Sequence, residues 1–299
     1  MRPFSTPLSR RIGLRYPLVA APMFLISNKE MLLAAAEAGI LGAMPSLNQR
    51  TTEAFAADLA WVKARTDKPF AINLTIGLTD PERLKRDVEA CLDHKVPVLI
   101  TSYGNPTPIV KAAKAVGTIV LHDVIHLKHA KKAESAGVDA IIGVSHGAGG
   151  HAGRVHPYTL VPWLRQNLSV PVVAAGAIST GENVAAALSL GAELAYMGTR
   201  FIASTECGAP DRYKDLVRDV THEDIVYTDE VSGTHANFIR QTLPEFHEKG
   251  RDTKRWKDIW SAGHGVTLID EVKPMAAIVD EIVGEYHATL DRLLATREG

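Results

Sequence analysis

One imidazole, His151, stands in a run of residues with almost no side chains, Gly147-Ala148-Gly149-Gly150-His151-Ala152-Gly153, directly after the apolar run Val138 to Val144. Glycine admits dihedrals and contact distances that a Cβ forbids, so main chain can lie against a flat ligand there. Histidine supplies acid–base or hydrogen-bonding capacity near neutral pH. The combination reads as a cofactor ledge, Gly149 and Gly150, that carries a catalytic group, His151.

The rest of the chain must position that ledge. Short β-branched or apolar runs alternate with Ala-, Lys- and Glu-rich segments of helical period, the pattern of parallel strands joined by crossover helices. Eight runs qualify as strands: 18–23, 40–44, 70–74, 98–103, 118–123, 140–144, 172–175 and 194–197. Helical segments fall at 29–38, 52–64, 82–93, 108–116, 126–136, 157–167 and 181–190, several ending in a glycine placed to take the left-handed cap conformation, as in Ala38-Gly39-Ile40. Eight such units predict an α/β fold, a closed (β/α)8 TIM barrel. An open doubly wound sheet has fewer units, and its Gly-x-Gly-x-x-Gly fingerprint on the first strand is absent here. After Met197 the rhythm breaks. Residues 207–265 read as a helical and loop lid over the barrel mouth, and 272–294 as a closing outer helix, so the barrel comprises 1–206 and 266–299.

In such a barrel the site lies at the carboxyl ends of the strands. The seventh and eighth ends, Ala175-Gly176-Ala177-Ile178-Ser179-Thr180-Gly181 and Tyr196-Met197-Gly198-Thr199-Arg200-Phe201, form a matched pair of small-residue loops whose N–H groups can point at a phosphate, with the Thr199 hydroxyl as a further donor. A phosphate grip there, the glycine ledge after strand six and Met23 after strand one would surround an elongated, planar, phosphorylated cofactor. FMN fits; no fingerprint for an adenylate half is present. His122 and His146 fall on the same face and are weaker candidates for the substrate pocket.

Composition bounds the partners. With 33 basic and 34 acidic residues in 299, net charge −1, the chain presents no field for nucleic acid or an anionic membrane. No apolar run has the length of a membrane span and the N-terminus lacks a secretory layout, so a cytoplasmic protein acting on a small molecule is expected. Cys91 and Cys207 are too few and too isolated for a disulfide framework, and His126 and His129 lack a third ligand, so no metal is assigned. A homo-oligomer is neither required nor excluded.

These residues resemble the nitronate monooxygenase family, formerly called 2-nitropropane dioxygenases. The resemblance is carried by Ala20-Ala21-Pro22-Met23, Phe70-Ala71-Ile72-Asn73-Leu74, Ala148-Gly149-Gly150-His151-Ala152-Gly153, Ala174-Ala175-Gly176-Ala177-Ile178 and Met197-Gly198-Thr199-Arg200-Phe201, over residues 10 to 205. It implies an FMN-dependent enzyme that oxidises alkyl nitronates or nitroalkanes to carbonyl compounds and nitrite with O2. His151 would be the base or substrate-orienting group. Phosphate contacts would fall on Ala175, Gly176, Ala177, Gly198 and Thr199, and flavin-ring contacts on Met23, Asn73 and Gly149. Two departures stand out. Many members carry Gln-Gly-x-Glu-Ala before the glycine pair, where this chain has Val144-Ser145-His146-Gly147-Ala148, and Ala177 stands where glycine is common. The same superfamily implies an alternative, an NAD(P)H-dependent reductase of a quinone or an enoyl thioester, for which Arg251, Lys254, Arg255 and Lys257 would supply a basic patch. A non-catalytic flavin-binding barrel ranks last, since a binder has little use for a titratable group on the reactive face.

Overall fold

The computed structural model describes residues 3–243 and 255–296. Eight parallel strands, Leu18–Ala20 (β1), Leu41–Pro45 (β2), Phe70–Thr75 (β3), Val98–Ser102 (β4), Ile119–Val124 (β5), Ala140–Val144 (β6), Val172–Ala175 (β8) and Leu194–Met197 (β9), close into a barrel in that order. Closure brings β9 back to β1, with Ala20 opposite Met197. The (β/α)8 expectation is met.

Alternation along each strand sorts the side chains into two layers. Val19, Leu41, Ala71, Ile100, Leu121 and Ile142 fill the barrel axis. Their neighbours Leu18, Ile40, Ile72, Leu99, Val120 and Ile141 face the surrounding helices. The glycine caps behave as read: Gly39 and Gly137 take φ of 82° and 88° and return their N–H groups to carbonyls of the preceding helical turn. A short helix that the sequence reading does not include, Pro7–Ile12 (α1), closes the amino end of the barrel by adding Leu8 and Ile12 to the axial cluster. It is pinned where Glu193 Oε2 accepts from the Leu8 N–H at 2.6 Å. The long C-terminal helix Met275–Ala295 buries Met275, Ile278, Val279, Ile282 and Val283. It lies so close to Gly181 that a Cβ there would stand 2.3 Å from the Ile282 carbonyl oxygen.

The segment after β9 differs from the expected helices and loops. It contains the helix Asp211–Asp219, but also two strands, Ile225–Thr228 (β10) and Ala236–Ile239 (β11). These pair antiparallel, and β11 pairs in turn with Gly150–His151 (β7) inside the glycine-rich loop, Ala236 opposite His151. Unlike the barrel strands, these two have no repeating strand–helix rhythm around them to mark them in sequence. Their stability comes from a satellite core of Val231, Ala236, Phe238 and Ile259. No helix among the described residues is long and apolar enough to cross a membrane.

Candidate active site

A cavity of about 1700 Å3 opens at the carboxyl ends of the barrel strands. Met23, Asn73, Gly149, Gly150, His151, Ala175, Gly176, Ala177, Gly198 and Thr199 all line it, so the residues singled out in sequence converge on one space. Tyr213, Trp260 and Ser261, from the segment after β9, close another side. Arg251 and Lys254 lie outside the described residues; Lys257 lines the cavity.

One end of the cavity is built from main chain. Gly176 and Ala177, both on the cavity wall, hold positive φ, 119° and 54°. Among the described residues neither N–H meets a protein acceptor. Ser145 Oγ donates to the Ala175 carbonyl at 2.6 Å and lies where a Gly176 Cβ would be, 2.4 Å away, so the loop conformation is tied to glycine at 176. Thr199 Oγ accepts from the Gly263 N–H at 2.9 Å, which leaves its O–H free to donate. At Gly198 a Cβ would meet nothing nearer than 3.8 Å; the space it would take is open cavity between Ala21 and Met23. These donors and this clearance suit the phosphate and ring of a flavin nucleotide, and they come from this chain alone.

His151 owes its position to β7. Pairing with β11 holds the backbone, the Tyr227 hydroxyl donates to the Ala152 carbonyl at 2.9 Å, and Asn237 Nδ2 donates to the Ala148 carbonyl at 2.7 Å. The imidazole Nε2 lies 3.2 Å from Ser232 Oγ, and the ring meets Tyr103 edge-on with centroids 5.6 Å apart. Burial pulls its pKa below the ordinary histidine value, so the neutral ring, able to accept a proton, prevails at neutral pH.

The cavity wall also holds, at the barrel axis, a group to which the sequence reading gave no role. Asp123, on β5, accepts from Ser102 Oγ at 2.6 Å, and Ser102 Oγ accepts in turn from Asn73 Nδ2 at 2.9 Å. Desolvation pushes the Asp123 carboxyl up to about 6, against the opposing pull of the Ser102 hydrogen bond. Alternation on β5 was the signal available: Leu121 points to the axis, so Asp123 does too. His122 points the other way. It is buried, with Nδ1 2.8 Å from Thr101 Oγ1, and burial drives its pKa down to about 4; it is among the residues that line the cavity. His146 is not among the residues that line the cavity, although Gly147 and Ala148 beside it are. Gly147, at φ 85°, turns the chain there, and the imidazole packs against His264, centroids 4.9 Å apart, and Tyr227.

The family model described as nitronate monooxygenase matches residues 5–87 and 76–256. A 5-hydroxy-7a-methyl-1-oxo-octahydro-1H-indene-4-carboxyl-CoA dehydrogenase of Mycobacterium tuberculosis is 32% identical over 248 residues, 82% of this chain and 69% of that protein. The nitronate monooxygenase of Pseudomonas aeruginosa is 30% identical over 260 residues, covering 70% and 72%. Among solved structures, FabK from Thermotoga maritima superposes with a TM-score of 0.87 at 28% identity, covering 98% of this chain and 99% of that one. With the family's pattern running through most of its length and the barrel in common, the chain belongs to the nitronate monooxygenase family of flavoprotein oxidoreductases.

Proposed function

We propose that this protein holds FMN in the cavity and oxidises alkyl nitronates or nitroalkanes with O2, with His151 as the base or substrate-orienting group. The observation that carries the reading is the neutral imidazole of His151, fixed by β7 on the wall of a cavity whose other end is a cradle of free main-chain donors. FMN would supply the redox chemistry; the protein supplies orientation and electrostatics. The N–H groups of Gly176 and Ala177 and the Thr199 hydroxyl would take the phosphate, and Met23, Asn73, Gly149 and Gly150 would border the ring.

His151 does two jobs. A nitronate is already an anion with electron density on carbon, so Nε2, when it carries the proton, needs only to donate to a nitro oxygen. A neutral nitroalkane must first lose a proton from carbon, and the depressed pKa keeps the acceptor nitrogen available. Partners are then a small nitro compound and O2, with NAD(P)H unnecessary, in a cytoplasmic setting.

A second reading, an NAD(P)H-dependent reductase of a bulky thioester or quinone, is favoured by the cavity itself. Its volume far exceeds what a small nitroalkane beside a flavin requires, and Phe24, Leu25 and Leu78 expose apolar surface on its rim. The CoA-linked name of the Mycobacterium tuberculosis relative points the same way. Anaerobic mixing of flavin-loaded protein separates the two: bleaching of the visible band by nitronate but not by NADH or NADPH supports the first, and fast bleaching by reduced nicotinamide the second. A preparation that is colourless and cannot be reconstituted with FMN would overturn both.

A further inference from the structure

Asp123 is the single acidic side chain among the described residues that line the cavity. The described residues offer it no ion pair, so its ionised form is held there at a cost in stability, and groups so perturbed cluster at functional sites. Its surroundings are ordered. Ser102 has one O–H, committed to the carboxylate, so it must accept from Asn73 Nδ2. Asn73 Nδ2 also donates to the Ile100 carbonyl at 3.2 Å, which leaves Oδ1, already met by Thr75 Oγ1 at 3.3 Å, as the amide's remaining hydrogen-bonding atom. Thus the strand ends of β3, β4 and β5 present acceptors to the axis, one of them a full charge. Neighbouring β6 contributes only Ile142 and Val144 there, and the other titratable groups facing the carboxyl are the phenols of Tyr103 and Tyr196, both held neutral by burial.

We propose that Asp123 is the redox-tuning residue of this site: its carboxylate, fixed by the Asn73–Ser102 relay, lays an anionic floor that disfavours electron uptake by the bound flavin, and its protonation lifts that restraint. This rests on the FMN reading above. Electrons added to the ring place negative charge in a low-dielectric cavity that already holds one, and like charges raise each other's free energy. The restraint is relieved by a proton on Asp123 Oδ, so reduction draws that proton in addition to the one the flavin itself takes.

The test is potentiometric titration of FMN-loaded wild type, Asp123→Asn and Ser102→Ala across the pH range around 6. Asparagine keeps the shape and an acceptor for Ser102, so the variant should bind FMN one to one. Its midpoint potential should exceed that of wild type at mildly alkaline pH, converge with it in acid, and lose the wild-type inflection near 6. Ser102→Ala removes the donor that stabilises the ionised form, so its inflection should move to higher pH; this variant serves if asparagine at 123 fails to fold. Superimposed potential–pH curves for flavin-loaded wild type and Asp123→Asn, or an unmoved inflection in Ser102→Ala, would overturn the inference while leaving the cofactor reading intact. A wild type that takes up no FMN removes both.

Discussion

The ring of Tyr103 meets the imidazole of His151 at 81°, edge to face, and the two close the cavity from β4 and β7. Tyr103 holds φ at 51°, an uncommon value for a residue with a Cβ, and its carbonyl accepts the Gly77 N–H at 2.5 Å. The strained backbone aims the ring, and the ring shields the imidazole. Tyr103→Ala should therefore admit water to His151 and move its pKa upward, toward the ordinary histidine value, because burial is what lowers it. Tyr103→Phe should leave it in place. An NMR titration of the His151 ring checks this, and an unchanged midpoint in the alanine variant would show that Tyr103 is not the shield.

Replacement of His151 separates its two jobs. His151→Asn retains a donor for a nitro oxygen but cannot take a proton at neutral pH, so turnover of neutral nitroalkane should fall by about 10²- to 10⁴-fold, the usual worth of a positioned general base. Turnover of preformed nitronate should fall much less. The visible spectrum of the loaded variant should match wild type, because the cradle at Gly176 and Gly198 is untouched. Equal losses on both substrates would assign His151 to orientation alone.

The phosphate loop makes opposite demands at adjacent positions. Gly176→Ala adds a Cβ 2.4 Å from Ser145 Oγ at φ 119°, and should cost about 1–3 kcal/mol together with most of the FMN affinity. Ala177→Gly relieves a left-handed alanine at φ 54°, worth about 1–2 kcal/mol, against a smaller unfolded-state entropy penalty. A net gain of about 0.5 kcal/mol is expected. Urea midpoints and FMN titration read both; a stable, flavin-binding Gly176→Ala would mean the loop can rebuild itself.

The barrel was legible because its signals are local and repeated. Each β-branched run such as Val98 to Ser102 is long enough to show its period, and glycines such as Gly39 and Gly137 punctuate the helices. The place of Gly176 and Gly198 on the cavity wall at the strand ends was legible for the same reason. What escaped depends on long-range pairing. β10 and β11 exist because Phe238 and Val231 find Ile259, and β7 exists because β11 lies beside it. Asp123 drew no role although alternation from Leu121 puts it on the axial face, because a lone carboxylate at a strand end carries no spacing signal of its own.

The one-residue step from His122 to Asp123 sets two neighbours against each other in acid. His122 has an ordinary value of 6.5 and a folded value of about 4, so between those pH values the unfolded chain binds a proton that the folded chain refuses. Stability from this residue is present above 6.5 and is lost as pH falls toward 4, about 3 kcal/mol in all. Asp123 does the reverse. Its folded value of about 6 lies above the ordinary 3.8, so the folded protein takes its proton first, and stability from this group grows as pH falls from 6 to 3.8. The two effects oppose each other with similar size in the window from 4 to 6, and the wild type should be nearly level there. His122→Gln removes one side of the balance. Loss of the Thr101 hydrogen bond should cost the variant about 1 kcal/mol at neutral pH, yet it should gain on wild type steadily toward pH 4. Urea unfolding of both proteins at several pH values measures the difference, and parallel stability curves would show that His122 takes up its proton without leaving the barrel wall.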